Sequence, residues 1–170
     1  FYGGRGNPAV AALKRCLNGE EKGALYLYGP RGSGKTHLLH SACNEAAQRG
    51  LRPLYLTFAV KKSVAPEMLS DLEMLDLVVL DDLQYMAGDA AWEEALFCLF
   101  NALFDTEKPL LLGADASPES IGIHLPALKS RIGSSTVFRL HELEDAEKIV
   151  TLKAQARRRG HDLTALVGRH

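Results

Sequence analysis

The sequence predicts an α/β fold in which a parallel sheet is covered on both faces by helices. Short strand-like runs at residues 24–28, 53–58, 77–82, 109–114 and 136–142 alternate with longer segments of helical periodicity. Apolar strands separated by helices need a cover on each face, which is the parallel α/β arrangement. The composition agrees: 170 residues, 46% hydrophobic and 24% charged, fit one globular domain, or one domain plus a fragment of another. That balance excludes long disorder, a collagen-like repeat and a disulfide scaffold.

The elements follow in order. ALYLY (24–28) is a strand that runs into a glycine-rich turn. Residues 35–48 place Leu38, Leu39, Ala42, Cys43, Ala46 and Ala47 at helical spacing, and Arg49-Gly50 suits the helix end. PLYLTF (53–58) is a strand, residues 66–75 a short helix opened by Pro66, and LVVLDD (77–82) a buried strand ending in two acids. Asp89 is the predicted N-cap of a helix over 90–104, whose apolar face holds Trp92, Leu96, Leu99, Phe100 and Leu103. A strand at 109–114, a helix at 123–132 and a last strand at 136–142 complete the sheet. Residues 144–159 read as an amphipathic helix, acidic at its start and basic at its end, and 162–170 as the start of another. The domain boundary is placed at 143: residues 1–143 form the α/β domain and 144–170 begin a helical lid.

Charge is close to balanced, with 20 basic and 21 acidic residues and a net charge of −1, so no overall basic field marks a nucleic-acid or membrane binder. Cys16, Cys43 and Cys98 are an odd set without a CxxC pair and read as free thiols of a reducing compartment. No apolar run approaches the ~20 residues that span a bilayer. No signal peptide is visible, and because the first residue is Phe the natural N-terminus is expected upstream.

Gly29-Pro30-Arg31-Gly32-Ser33-Gly34-Lys35-Thr36 matches G-x-x-x-x-G-K-[ST] in full, between a strand and a helix. Glycines let backbone N–H groups turn inward around phosphate oxygens, and the following helix directs its positive end at the same anion. Lys35 then reaches the β- and γ-phosphates, His37 continues the site, and the Thr36 hydroxyl binds Mg²⁺. Such a loop needs a metal-holding acid on another strand. Asp81 supplies it, acting through water, and Asp82 polarises the attacking water; an Asp there has a shorter reach than a Glu, so intrinsic hydrolysis is expected to be slow. His37 and His40 lie three apart on one helix, but no third ligand is evident, and helix packing is the simpler reading. Lys61-Lys62 and Arg157-Arg158-Arg159 read as solvated charge, and Trp92 and Phe97 as core.

On these residues the chain resembles the AAA+ ATPases, specifically the DnaA/Hda family. The resemblance is carried by Gly29–Leu39 (GPRGSGKTHLL) and by Asp81-Asp82-Leu83-Gln84. The Hda-like signals are Leu38 to Cys43, Ala87-Gly88-Asp89, Trp92-Glu93 with the helix they open, and Asp145 to Gly160. The resemblance implies a five-stranded sheet whose sensor strand lies between the phosphate-loop strand and the acid-pair strand. It implies sensor 1 at Asp115 and an arginine finger at Arg131, which would neutralise transition-state charge on a neighbour's nucleotide. It also implies an adenine-covering loop at Phe1-Tyr2-Gly3-Gly4 with Tyr2 and Asn7 as contacts.

The implied cofactors are ADP or ATP with Mg²⁺. The implied function is regulatory: promoting hydrolysis of DnaA-bound ATP together with the DNA-loaded sliding clamp, and so preventing re-initiation of replication in the bacterial cytoplasm. DnaA and the clamp are the implied partners, DNA is reached through the clamp, no membrane is involved, and a homo-oligomer is a candidate assembly. The clamp-binding motif of the Hda type is not present in this chain, and the sensor 2 arginine is expected beyond His170. Gly133-Ser134-Ser135 replaces the Trp-Gly pair usual after the finger. Two other readings stay open: a DnaA-type initiator or helicase loader, and an autonomous P-loop hydrolase or kinase.

Overall fold

A computed structural model describes residues 8–141. Five strands form one parallel sheet: β1 (Ala24–Tyr28), β2 (Pro53–Thr57), β3 (Leu77–Asp81), β4 (Leu110–Ala114) and β5 (Thr136–Arg139). Their order is β2-β3-β4-β1-β5, so β4 lies between the phosphate-loop strand and the acid-pair strand, as the resemblance implies. The pairing register sets Thr57 beside Asp81 and Tyr28 beside Ala114. Both pairs stand at the C-terminal edge of the sheet, the edge where α/β folds hold their ligands.

Each face is covered by its own helices. Alternate side chains Leu25, Leu27, Leu77, Val79 and Leu111 pack with α1 (Pro8–Leu17) and α2 (Lys35–Gln48). Their neighbours Tyr26, Val78, Leu80, Leu110 and Leu112 pack with α3 (Ala90–Thr106) and α4 (Pro126–Gly133). All residues of β3 and β4 are buried, which explains their unbroken apolar spelling. Each buried Leu or Val adds roughly 1.5–3 kcal/mol, so this three-layer stack holds the site's elements rigidly. Trp92 meets Phe58 edge to face, ring centroids 5.3 Å apart, and closes the core beneath the acid-pair strand.

Most elements form where expected, including α3 with Asp89 as its N-cap and its five predicted apolar residues buried. Three differ. The helix expected over 66–75 is two single 3₁₀ turns, Pro66–Leu69 and Leu72–Met74, because Asp71 takes a left-handed conformation (φ 62°) that interrupts the helical path. The helix expected from 123 begins at Pro126: Leu125 precedes a proline and stays extended (ψ 113°). The last strand ends at Arg139 rather than 142, although the Leu140 N–H still donates to the Tyr28 carbonyl at 2.7 Å. Helix α1 was not among the expected elements; its buried Ala9, Val10, Ala12, Leu13, Cys16 and Leu17 form a regular apolar stripe. The helix at 144–159, the 143 boundary and the lid lie outside the described residues.

Burial separates the thiols. Cys16 and Cys43 are buried, and their pKa values are pushed up to about 12 and about 11, chiefly by desolvation, whereas Cys98 is exposed. Because the thiolate is the reactive form, one thiol is expected to react rapidly with a disulfide reagent in the native protein, and all three in denaturant. Rapid native modification of two or more would contradict this packing.

Candidate nucleotide site

The phosphate loop is shaped by contacts that exclude larger residues. A Cβ on Gly29 would lie 2.5 Å from the Leu140 carbonyl oxygen, so only glycine lets the chain leave β1 there. Gly32 (φ 89°) and Gly34 (φ 86°) take left-handed conformations, and Gly34 is the N-cap of α2. The Ser33 N–H donates to the Pro30 carbonyl at 3.1 Å, which closes the turn, while Pro30 and Arg31 are exposed at its tip. The loop therefore enters α2 at the helix N-terminus, where the first N–H groups have no carbonyl partner within the helix.

Two observations test whether this cradle suits a phosphate. The Ser33 hydroxyl oxygen is buried without a hydrogen-bond partner among the described residues. The Lys35 ammonium is buried and donates to the Ala114 carbonyl at 3.0 Å. An ammonium has three donors, so the bond to Ala114 leaves capacity for an anion. A buried cation beside an unsatisfied hydroxyl and a helix N-terminus fits a phosphate group. His37, half-buried, follows on α2.

The acids meet this loop from β3. Asp81 is wholly buried, and its Oδ2 accepts from the Thr36 hydroxyl at 2.8 Å. The same Oδ2 accepts from the Tyr55 phenol at 2.8 Å, while Oδ1 accepts from the Asp82 N–H at 2.8 Å. Burial pushes the Tyr55 phenol well above the ordinary range, with the Asp81 hydrogen bond and the charges of Asp81 and Asp82 adding, so it remains a donor. Space for Asp81 comes from Gly113 on β4, where a Cβ would sit 2.4 Å from Asp81 Oδ1. A Thr hydroxyl paired with a carboxylate suits Mg²⁺, which takes one or two carboxylates plus substrate phosphates rather than an all-protein cage. No cluster of three His, Cys, Asp or Glu residues forms such a cage among the described residues.

Asp82 turns out of the strand with φ 59°. Its Oδ2 accepts from the Thr57 hydroxyl, and its Oδ1 from the Gln84 amide at 3.4 Å. Gln84 in turn accepts from the Asp115 N–H at 3.2 Å. Asp115 itself is exposed just past the end of β4. Gln84 thus ties the second acid to the predicted sensor position.

Arg131 stands apart from this cluster. It lies in the last turn of α4, where its guanidinium donates to Asn101 Oδ1 at 2.8 Å and sits 5.6 Å from the Phe104 ring centroid, both on α3. Helix α4 is placed by Glu93. This buried carboxylate accepts from Gly88 N (2.6 Å), His124 N (3.0 Å) and Leu125 N (2.7 Å).

The structure therefore brings Lys35, Thr36, Asp81 and Asp82 to one sheet edge, with Asp115 linked through Gln84, and leaves Arg131 with α3. Tyr2 and Asn7 lie outside the described residues. Tyr55, Thr57, Gln84, Gly113 and Glu93 escaped the sequence reading as site residues. Gln84 and Glu93 stand among the residues that carry the family resemblance, and for Tyr55 and Thr57 the signal is their period-two placement on β2, on the face that meets the acids.

The chain is similar to a replication initiator DnaA bound to AMPPCP and single-stranded DNA, with 30% identity over 98% of this chain and 56% of that one, TM-score 0.74. Against AMPPCP-bound DnaA from Aquifex aeolicus the identity is 29%, over 93% of this chain and 53% of that one, TM-score 0.74. Domain III of the Thermotoga maritima replication initiation protein DnaA gives 25% identity over 95% and 73%, TM-score 0.75. The chain spans about half the length of the first two structures. The family profile of the bacterial DnaA ATPase domain matches residues 3–138, and with the phosphate loop and acid pair in place the chain belongs to that family of AAA+ ATPase domains.

Proposed function

We propose that this domain binds ADP or ATP with Mg²⁺ and acts as a regulator of the Hda type, promoting hydrolysis of ATP held by DnaA on clamp-loaded DNA. The observation that carries the reading is the division of labour between two places in the fold. Lys35, Thr36 and Asp81 gather around one cradle, while Arg131 is held by Asn101 and Phe104. An arginine held away from its own cradle suits delivery to a neighbour's nucleotide, where one guanidinium is worth ~10³-fold or more in rate.

In this reading the chain's own residues bind and orient. Lys35 and the α2 N-terminus hold the β- and γ-phosphates, Thr36 and Asp81 hold the metal, and Asp82 with Asp115 hold the water. Mg²⁺, when bound, neutralises phosphate charge. Partners are DnaA and the sliding clamp, the site of action is the bacterial cytoplasm, and self-association is a further candidate. The resemblance to DnaA structures supports a second reading, an initiator or loader that hydrolyses its own ATP within an assembly.

The test loads DnaA with radiolabelled ATP on clamp-loaded DNA and follows hydrolysis with the full-length parent protein. Stimulation that disappears in Arg131→Ala, with ADP binding intact, supports the regulator. No stimulation from a protein that still binds ADP moves the assignment to the initiator or loader. Lys35→Ala is expected to remove nucleotide binding. At ADP one hundredfold above its Kd, wild type should gain about 2.7 kcal/mol of stability, and the variant none. A variant that binds ADP as tightly as wild type would overturn the nucleotide reading.

A further inference from the structure

Asp81 carries a buried negative charge with no cation paired to it among the described residues. Three donors answer it: the Asp82 N–H on Oδ1, and the Thr36 and Tyr55 hydroxyls on Oδ2, each at 2.8 Å. The first is local backbone and the second belongs to the proposed metal ligand. Tyr55 has no role in the reading above. It reaches the carboxylate from β2, and its ring stacks on His40 with centroids 3.9 Å apart and planes 25° off parallel. His40 stands one helical turn beyond Thr36 on α2. One face of α2 thus supplies one donor to Oδ2 directly and seats the ring that supplies the other.

A carboxylate offers about four acceptor sites. With both hydroxyls in place, Oδ2 is saturated, while Oδ1 takes the Asp82 N–H and packs against Gly113. Without the phenol, Oδ2 regains an open site and the carboxylate loses one of the three bonds that oppose its rotation. We propose that Tyr55, seated by His40, is a positioning residue that fixes the Asp81 carboxylate with Oδ2 turned to the Thr36 hydroxyl, the pair that would hold the magnesium ion and its waters. The proposal rests on the nucleotide–magnesium reading and adds to it the residue that sets the metal requirement. Partners in this outer position commonly change metal affinity by about 10- to 100-fold when removed.

The experiment titrates a fluorescent ADP analogue into the full chain, first in EDTA and then across a range of Mg²⁺ concentrations. Tyr55→Phe keeps the ring and its stack on His40 and removes only the hydroxyl. Its affinity in EDTA should stay within about twofold of wild type, while the Mg²⁺ concentration giving half the metal effect should rise about tenfold. His40→Ala, at an exposed position, should shift the Mg²⁺ curve the same way by less. A Tyr55→Phe curve that superimposes on wild type overturns the proposal. So does a loss of affinity in EDTA as large as that in Mg²⁺, which would mark a general collapse of the site. If Tyr55→Phe does not fold, an unmoved Mg²⁺ curve in His40→Ala overturns it instead. Wild-type protein that binds no nucleotide in either condition would remove the underlying reading, and this proposal with it.

Discussion

Gly113→Ala is expected to destabilise the protein by about 3 kcal/mol and to lower Mg²⁺-dependent ADP binding more than tenfold. The added methyl would sit 2.4 Å from Asp81 Oδ1 and 2.7 Å from Leu39 Cδ1. Neither neighbour has room to retreat, since Asp81 and Leu39 are both fully buried. Overpacking alone costs about 1–3 kcal/mol. Moving Asp81 also strains three hydrogen bonds to a charged group, each worth roughly 1.5–3 kcal/mol. Against a total stability of about 5–15 kcal/mol this is a large share. Urea denaturation reads the first effect and fluorescent-ADP titration the second. An unchanged urea midpoint with unchanged binding would mean that β4 passes Asp81 less closely than described.

Glu93→Ala is expected to cost about 3–5 kcal/mol and to loosen the segment that leads into α4. The carboxylate is 1% exposed and accepts from the N–H groups of Gly88, His124 and Leu125. Removing it strands three backbone donors, each worth roughly 1–3 kcal/mol when left unsatisfied, with water recovering part of the loss. Glu93→Gln keeps one acceptor oxygen and should lose about half as much. Hydrogen exchange at the His124 and Leu125 amides is the direct readout, since their protection should fall first. ADP binding should survive in protein that remains folded, and under the proposed regulator role any stimulation carried by Arg131 should fall. Retained protection at both amides would rule out this anchoring role.

The sheet was legible because its central strands are continuous apolar runs, and α3 because Asp89 caps a regular apolar face. The turns at 66–74 were misread because Pro66 and a helical pattern signal a start, whereas the interruption at Asp71 is a single backbone torsion that composition does not reveal. The start of α4 was misread although Pro126 marked it, because the segment before it, ending in extended Leu125, needs a distant carboxylate to satisfy the His124 and Leu125 N–H groups. The phosphate loop and acid pair were legible because phosphate chemistry demands a local spelling. Tyr55 was not, because its pairing with Asp81 joins two strands separated by 26 positions and exists only once the sheet has formed.

The strand order has a consequence for how the domain comes into being. Strand β1, which launches the phosphate loop, pairs with β4 and β5 and with no strand between them in sequence. Lys35 finds its acceptor on Ala114, and a Cβ at Gly29 would collide with Leu140. A ribosome-bound chain that has exposed only the loop and α2 therefore lacks the partners that shape the cradle. Such non-local pairing slows folding and makes ligand capture a late event in synthesis. A nascent chain halted before β4 should not retain ADP, whereas one released beyond β5 should. Nucleotide then acts as a checkpoint on completed sheet assembly, stabilising only molecules whose last strand has docked.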